Sequence, residues 1–279
     1  VQAGIDILQA ARIPHYILPE WACKALLDSS SFNEWTNAPE PPLEPLPTDA
    51  GTVRAIINSA PKGYMSEDQC LAVLDAYGFP VPNHKLCKTA AEAADFASKL
   101  NGPAVLRIVS PDIVHKFDVK GVALNIDGPD AMTKAWDDMM THIAGVMPNA
   151  TIIGAIVRPM IPQGIEVILG AKRDNVFGPT IMFGLGGLFV EIFKDVTFAL
   201  APVTAQRAAS MVRGVKAYEI LAGARGAAAA DVAGIEECIR RLGQLVADHP
   251  RIIELDINPL LVGPADVDNT VADIRIRLS

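Results

Sequence analysis

Five prolines fall between residues 39 and 47: Pro39, Pro41, Pro42, Pro45 and Pro47. Proline lacks a backbone N–H and holds φ near about −65°, so neither a helix nor a central strand can run through such a stretch. Prolines at this density favour extended polyproline backbone and act as a spacer. The chain is therefore read as two pieces, residues 1–47 and residues 48–279, with the spacer closing the first.

The first piece is too short to be a domain of its own. Ile5 to Ala11 has a helical pattern, and His15 to Leu18 is predicted as a short strand. Pro19 and Glu20 open a second helix carrying Trp21, Ala22, Ala25 and Leu26, because proline suits the first helical turn. The piece looks like the tail of an α/β unit.

A continuous alternation of elements begins at Ser66. Ser66 with Gln69, and Thr89 with Glu92, have capping-box spacing and open helices reaching Tyr77 and Leu100. Strands are predicted at 104–109, 122–126, 151–158, 165–171, 179–183, 251–257 and 271–277, and helices at 129–146, 204–213 and 231–247. Residues 184–187 read as a glycine-rich loop. Helices mixed with hairpin-like strand pairs point to an α+β fold of lobes and not to one doubly wound sheet.

Half of the 279 residues are hydrophobic and 20% are charged, which supports a real core and argues against disorder. The net charge of −8, with no basic stripe, argues against a nucleic-acid binder. The four cysteines lie far apart without a C-x-x-C pair, as expected of reduced thiols in a cytoplasmic protein. No apolar run is long enough to span a membrane. The start, Val1-Gln2-Ala3-Gly4, has neither an initiator Met nor the pattern of a signal peptide, so the chain is expected to be a piece of a longer polypeptide or one subunit of an assembly.

Four stretches could carry chemistry. Between Pro103 and Val122, a strand bearing Arg107 leads into Ser110, His115, Lys116, Lys120 and Gly121. Cations and loop amides gathered at a strand end suit a polyphosphate, and an imidazole can accept a phosphoryl group; a solvated basic loop is the plain alternative. The second stretch, FGLGG at 183–187 followed by Glu191, Lys194 and Asp195, allows close backbone approach to a ligand, or is simply a turn. In the third, ELDINPL, residues 254, 256 and 258 share one face of a strand, placing two carboxylates and an amide where oxygen ligands suit Mg²⁺. Asp273 could add another carboxylate. The fourth is ILAGARG at 220–226, with Arg225 between glycines as an anion contact or a surface residue beside a helix cap.

Taken in order, SPDIVHK (110–116), FGP (177–179), FGLGG (183–187), LAGARG (221–226) and ELDINPL (254–260) resemble the nucleotide-binding domain of ADP-forming acyl-CoA synthetases, relatives of succinyl-CoA synthetase. The resemblance covers residues 63–279. It implies an ATP-grasp fold, two α+β lobes gripping ATP or ADP. It also implies a reaction interconverting acyl-CoA, ADP and phosphate with acid, CoA and ATP through acyl phosphate and phosphohistidine. His115 then matches a relay histidine. Arg107, Lys116, Lys120, Arg158, Met160, Glu166, Gly184, Gly186 and Gly187 match the nucleotide cleft, with 157–160 as the interlobe hinge. Asp256, Asn258 and Asp273 match the metal positions.

The implied partner is a CoA-binding, CoA-ligase domain or subunit carrying the main phosphohistidine, which would bind CoA and a small organic acid. Homo- or hetero-oligomers fit that arrangement, and residues 1–36 resemble the end of that partner domain. Three positions depart from the family pattern, all in the expected phosphate loop: Arg107 stands for lysine, Phe117 for Ser or Thr, and Lys120 for glycine. Two other readings stay open. One is a non-catalytic regulatory or assembly module that kept the fold. The other is an ATP-grasp ligase joining a carboxylate to an amine, against which the His115-Lys116 pair and the lack of an amine-binding domain count.

Overall fold

A computed structural model of the chain describes residues 2–37, 39, 42–113, 116–187, 194–224, 228–264 and 267–279. It divides into two compact units, Val1–Pro42 and Leu43–Ser279.

The first unit contains α1 (Gln2–Ala10) and α2 (Pro19–Asn37), neither of which buries a residue. Residues 15–18 form no strand. This corrects the expectation, and the reason is pairing: a four-residue segment has no ladder unless a neighbouring strand accepts it.

The second unit is built on two antiparallel sheets. The smaller has the strand order β2 (Lys85–Cys87), β5 (Gly154–Pro159), β3 (Ala104–Val109), β4 (Val122–Ile126). Helices α5 (Ala90–Ala97) and α6 (Pro129–Val146) pack on one face. The larger runs β1 (Gly63–Tyr64), β11 (Ile274–Leu278), β9 (Ile252–Val262), β6 (Ile165–Asp174), β7 (Gly178–Leu185), β8 (Val196–Leu200), with β10 (Thr270–Val271) also beside β9. It is covered by α3 (Ala50–Ser59), α4 (Glu67–Ala76), α7 (Ala205–Arg213), the short α8 (Tyr218–Leu221) and α9 (Val232–Asp248). This is the expected pair of α+β lobes.

Local chemistry explains the helix ends. Gln69 Oε1 accepts from the Ser66 N–H at 3.4 Å, and Thr89 Oγ1 accepts from the Glu92 N–H at 3.2 Å. Gly78, at φ +72, ends α4 in a Schellman motif: its N–H reaches Asp75 O, and the Phe79 N–H reaches Leu74 O. The last predicted strand is interrupted after Val271, and the break carries Ala272 and Asp273.

Alternation along the strands creates the cleft. In β3, Ala104, Leu106 and Ile108 join the core under α5 and α6, while Val105 and Arg107 turn to the other side. In β5, Ala155 and Val157 point to the helices, and Arg158 to the opposite face. In the larger sheet, Leu169, Phe183, Leu255 and Ile257 are buried in the second core. Each such side chain contributes about 1.5–3 kcal/mol of burial. Glu254, Asp256 and Asn258 lie between those buried positions on the less buried face.

Pieces distant in sequence are sewn together by buried polar groups. The linker residue Leu46 is held at both backbone groups by the Gln244 amide, at 2.9 and 3.1 Å. The Tyr77 hydroxyl donates to Asp248 Oδ2 at 2.9 Å, which leaves its oxygen to accept from His249 Nε2–H at 2.8 Å. Burial holds His249 below its ordinary range. A group whose folded pKa is depressed in this way lends stability above the ordinary imidazole value, and that stability is lost as pH falls. Unfolding midpoints should therefore drop as pH is lowered below about 6.5. Tyr77→Phe should cost about 1–3 kcal/mol in denaturant titration, because it leaves the buried His249 without its partner.

Candidate functional site

The cleft between the two sheets is lined by Val105, Arg107, Phe117, Val122, Leu124, Arg158, Met160, Ile161, Asn258, Pro259, Leu261, Ala272 and Asp273, around about 640 Å³ of space partly open to solvent. One wall is apolar: Val122 and Leu124 from β4, Met160 and Ile161 just past β5, and Leu261 from β9. The other end is charged.

Arg107 is the centre of that charged end. It is 5% exposed. Its Nε lies 3.1 Å from Glu67 Oε1, its Nη2 donates to Asp273 Oδ1 at 2.7 Å, and its Nη1 donates to Ala272 O at 3.2 Å. Arg158, equally buried, donates to the same Ala272 carbonyl at 2.7 Å. Burial, and behind it the neighbouring Arg107 charge, pushes Arg158 down to about 10, so it stays a cation at neutral pH. Lys116 Nζ sits 3.0 Å from Glu67 Oε2. Of these groups Arg107, Arg158 and Asp273 line the cleft beside the apolar wall, while Glu67 and Lys116 line a separate hollow with Ser110 and Arg275.

Glu67 was not legible as a site residue. Its only local signal is an acid in the first turn of a capped helix, which is commonplace. Arg107, by contrast, donates from both Nη atoms and keeps its Nε within ion-pair distance of Glu67, a spread that the point charge of a lysine could not span.

The other cleft residues behave differently. Lys120 is exposed and takes φ +52, the left-handed shape that glycine adopts without cost. The side chain therefore does not forbid the backbone conformation, and Lys116 O still accepts from the Gly121 N–H at 2.7 Å. Phe117 is 68% exposed at the cleft edge. Gly184 belongs to β7, paired with Ile168 and Val196, so the loop expected at 184–187 begins only after Leu185. Gly186 packs so tightly that a Cβ would stand 2.8 Å from Glu166 Cβ, and its N–H donates to Glu166 O at 2.7 Å. Gly187 has φ +63. The Glu166 side chain is exposed and outside the cleft lining. Asp195 is structural, accepting from the Lys216 and Ala217 N–H groups at 2.8 and 2.9 Å. His115, Glu191 and Arg225 lie outside the described residues.

Among the candidate metal ligands, Asn258 and Asp273 line the cleft and are joined by a backbone bond, Asn258 N–H to Asp273 O at 3.2 Å. Asp256 pairs across the sheet with Arg275 on one side and Gly170 on the other. Its carboxyl is raised from the ordinary range by burial first and by Asp273 and Glu254 further, against the opposing charge of Arg275. Among the described residues, no three of His, Cys, Asp and Glu come together closely enough to hold a metal ion. None of the described helices is long and apolar enough to cross a membrane.

The raised Asp256 carboxyl is a cost to the folded chain at neutral pH, since a raised acid favours folding only while protonated. Asp256→Asn should therefore raise the unfolding midpoint of the ligand-free protein at pH 7. The gain should close as pH falls through the carboxylate range, measured by thermal melts across pH.

Comparison with known proteins agrees with this architecture. Residues 57–278 match the family model of the ATP-grasp domain. The chain is 40% identical to the ADP-forming acetate–CoA ligase I of Archaeoglobus fulgidus over 98% of its own length, and spans only 40% of that protein. It is 43% identical to the beta subunit of the ADP-forming acetate–CoA ligase II of Pyrococcus furiosus, covering 77% of this chain and 91% of that subunit. A solved acetyl-coenzyme A synthetase 1 of Candidatus Korarchaeum cryptofilum, described as dinucleotide forming and in complex with coenzyme A, Ca-AMPCP and HgCl⁺, superposes with a TM-score of 0.75. It shares 39% identity, with 81% of this chain and 97% of that chain covered. The chain belongs to the ATP-grasp family, in the branch formed by the beta-subunit-like part of ADP-forming acyl-CoA synthetases.

Proposed function

We propose that the cleft binds ATP or ADP and that the chain is the nucleotide-binding module of an ADP-forming acyl-CoA synthetase. The single observation that carries this is the division of the cleft: an apolar slot through Met160, Ile161 and Leu261 runs into the buried cations Arg107 and Arg158. A flat base suits the first part and a polyphosphate the second. The Korarchaeum relative was solved with a nucleotide analogue and a divalent cation.

Asp256, Asn258 and Asp273 offer the oxygen donors that hard divalent cations take. The fit is supported by the electrostatics of this chain, because Asp256 is crowded by Asp273 and Glu254 and a cation would relieve that crowding. Mg²⁺ held there would neutralise charge on the phosphates. The residues of the chain do the rest. The apolar wall excludes water from the base. Lys116 and Lys120 meet phosphate oxygens. His115 accepts and passes on the phosphoryl group.

In the complete enzyme, phosphate displaces CoA from acyl-CoA to give acyl phosphate, and a histidine of the CoA-ligase part takes that phosphoryl and releases the acid. Transfer to ADP then gives ATP. The CoA-ligase part, lying in the same polypeptide or a partner subunit, supplies CoA and acid binding, and residues 1–47 join it to residues 48–279.

Titration calorimetry of this chain with Mg-ADP should show one site, weakened about tenfold or more when Mg²⁺ is chelated or when Asn258→Ala removes a donor. No heat of binding at millimolar nucleotide would reject the reading.

A further inference from the structure

Arg107, Lys116 and the acids of β9 all have a place in the proposed function, but Glu67 does not. We infer that Glu67 is a positioning residue that sets Lys116, on the loop after β3, against Arg107, within β3, through the two oxygens of one carboxylate. This rests on the nucleotide-binding reading of the cleft.

Glu67 opens α4 and its side chain is 3% exposed. A buried acid is costly unless paired. Its two ion pairs and the positive end of α4 compensate that burial. Simple fastening of the lobes does not require both pairs. Arg107 is already tied to the larger sheet by Asp273 and Ala272 O. The second oxygen of Glu67 instead reaches out to the loop. Lys116 is thereby held twice, its carbonyl by the Gly121 N–H and its ammonium by Glu67.

The two cations differ in what they have left to give. Arg107 is fixed by one hydrogen bond from each Nη and by its ion pair with Glu67, and its side chain is 6% exposed. Lys116 is 17% exposed, pairs with Glu67 alone among the described residues, and keeps further ammonium hydrogens free. Glu67 and Lys116 line a second hollow with Ser110, Pro111 and Arg275, and of the two cations Lys116 is the one with reach to spare for a phosphate, its ammonium placed by the Glu67 ion pair.

Charge and position make opposite demands at this residue. An acid beside a phosphate site repels the ligand, so charge alone predicts tighter binding when Glu67 is removed. Position predicts weaker binding when the carboxylate is withdrawn but kept. Glu67→Asp isolates the second effect: the charge stays and the reach shortens by one methylene.

Calorimetry on the 279-residue chain with Mg-ATP, and with AMP as a probe carrying a single phosphate, separates the outcomes. Glu67→Asp should weaken Mg-ATP about tenfold or more, the scale of one charge-assisted hydrogen bond, and leave AMP within about twofold. Equal weakening of both nucleotides, or no change in either, overturns the assignment. If Glu67→Asp does not fold, the cycle of Glu67→Gln and Lys116→Gln decides. The double variant should bind Mg-ATP no worse than Lys116→Gln alone, and additive losses overturn the assignment. A wild-type chain that binds neither nucleotide instead overturns the nucleotide-binding reading itself.

Discussion

Everything in the cleft depends on how one buried guanidinium is satisfied. Arg107 enters from the smaller sheet and is held by Glu67 from α4, by the Asp273 carboxylate and by the Ala272 carbonyl. The last two lie in the break between β10 and β11. A buried cation costs several kcal/mol unless its hydrogens are met, so the geometry is strongly constrained once the chain commits to placing it there. The result is a fixed relation between β3, which leads into the loop at 110–121, and the segments that carry Asp256 and Asp273. An arginine suits this because its fork is planar and its three edges diverge.

That constraint also assigns labour among the cations. Arg107 is spent on architecture. Arg158 shares Ala272 O, and the Nε of both arginines is buried without a hydrogen-bond acceptor among the described residues. The Lys116 ammonium pairs with Glu67 alone among the described residues. The apolar wall follows from simple alternation. Val105 and Arg107 share a face of β3 because side chains repeat every second residue, so the base slot and the charge cluster are two stretches of one surface.

Much of this was legible in the sequence, and the reasons are local. Ser66 with Gln69 and Thr89 with Glu92 announce helix starts because capping chemistry acts within four residues. The runs 104–109 and 122–126 are strands with the bounds that their β-rich composition and flanking turns suggest. The alternation of ELDIN puts Leu255 and Ile257 in the core and the acids and amide opposite. What stayed hidden depends on partners remote in sequence. Glu67 acquires its role from residues 40 or more positions away, and nothing in its own surroundings marks it. The segment 15–18 has strand-like residues and no partner. Gly184 reads as loop beside Gly186 and Gly187, yet pairing on both sides by Ile168 and Val196 keeps it in β7. The break at Ala272 and Asp273 interrupts an otherwise regular strand pattern because those groups are recruited by Arg107 and Arg158.

The local costs of the fold collect around the same cleft. Asp256 is an acid that burial and its acidic neighbours make expensive to ionise. Arg158 is a cation made expensive by burial and by Arg107. Lys120 holds a left-handed backbone at φ +52, a conformation costing a side-chain-bearing residue roughly 1–2 kcal/mol. Left-handed backbone also occurs at Arg12, Asn125 and Lys194, while capped helices, alternating strands and the glycine where α4 turns back follow the local rules. A folded chain keeps such violations only where the surrounding structure enforces them, and they gather at sites shaped for a ligand and not for stability. The two charged positions have a remedy of one kind: a divalent cation would relieve Asp256, and phosphate oxygens would relieve Arg158. Both penalties agree in sign with the metal-bound polyphosphate proposed for the cleft.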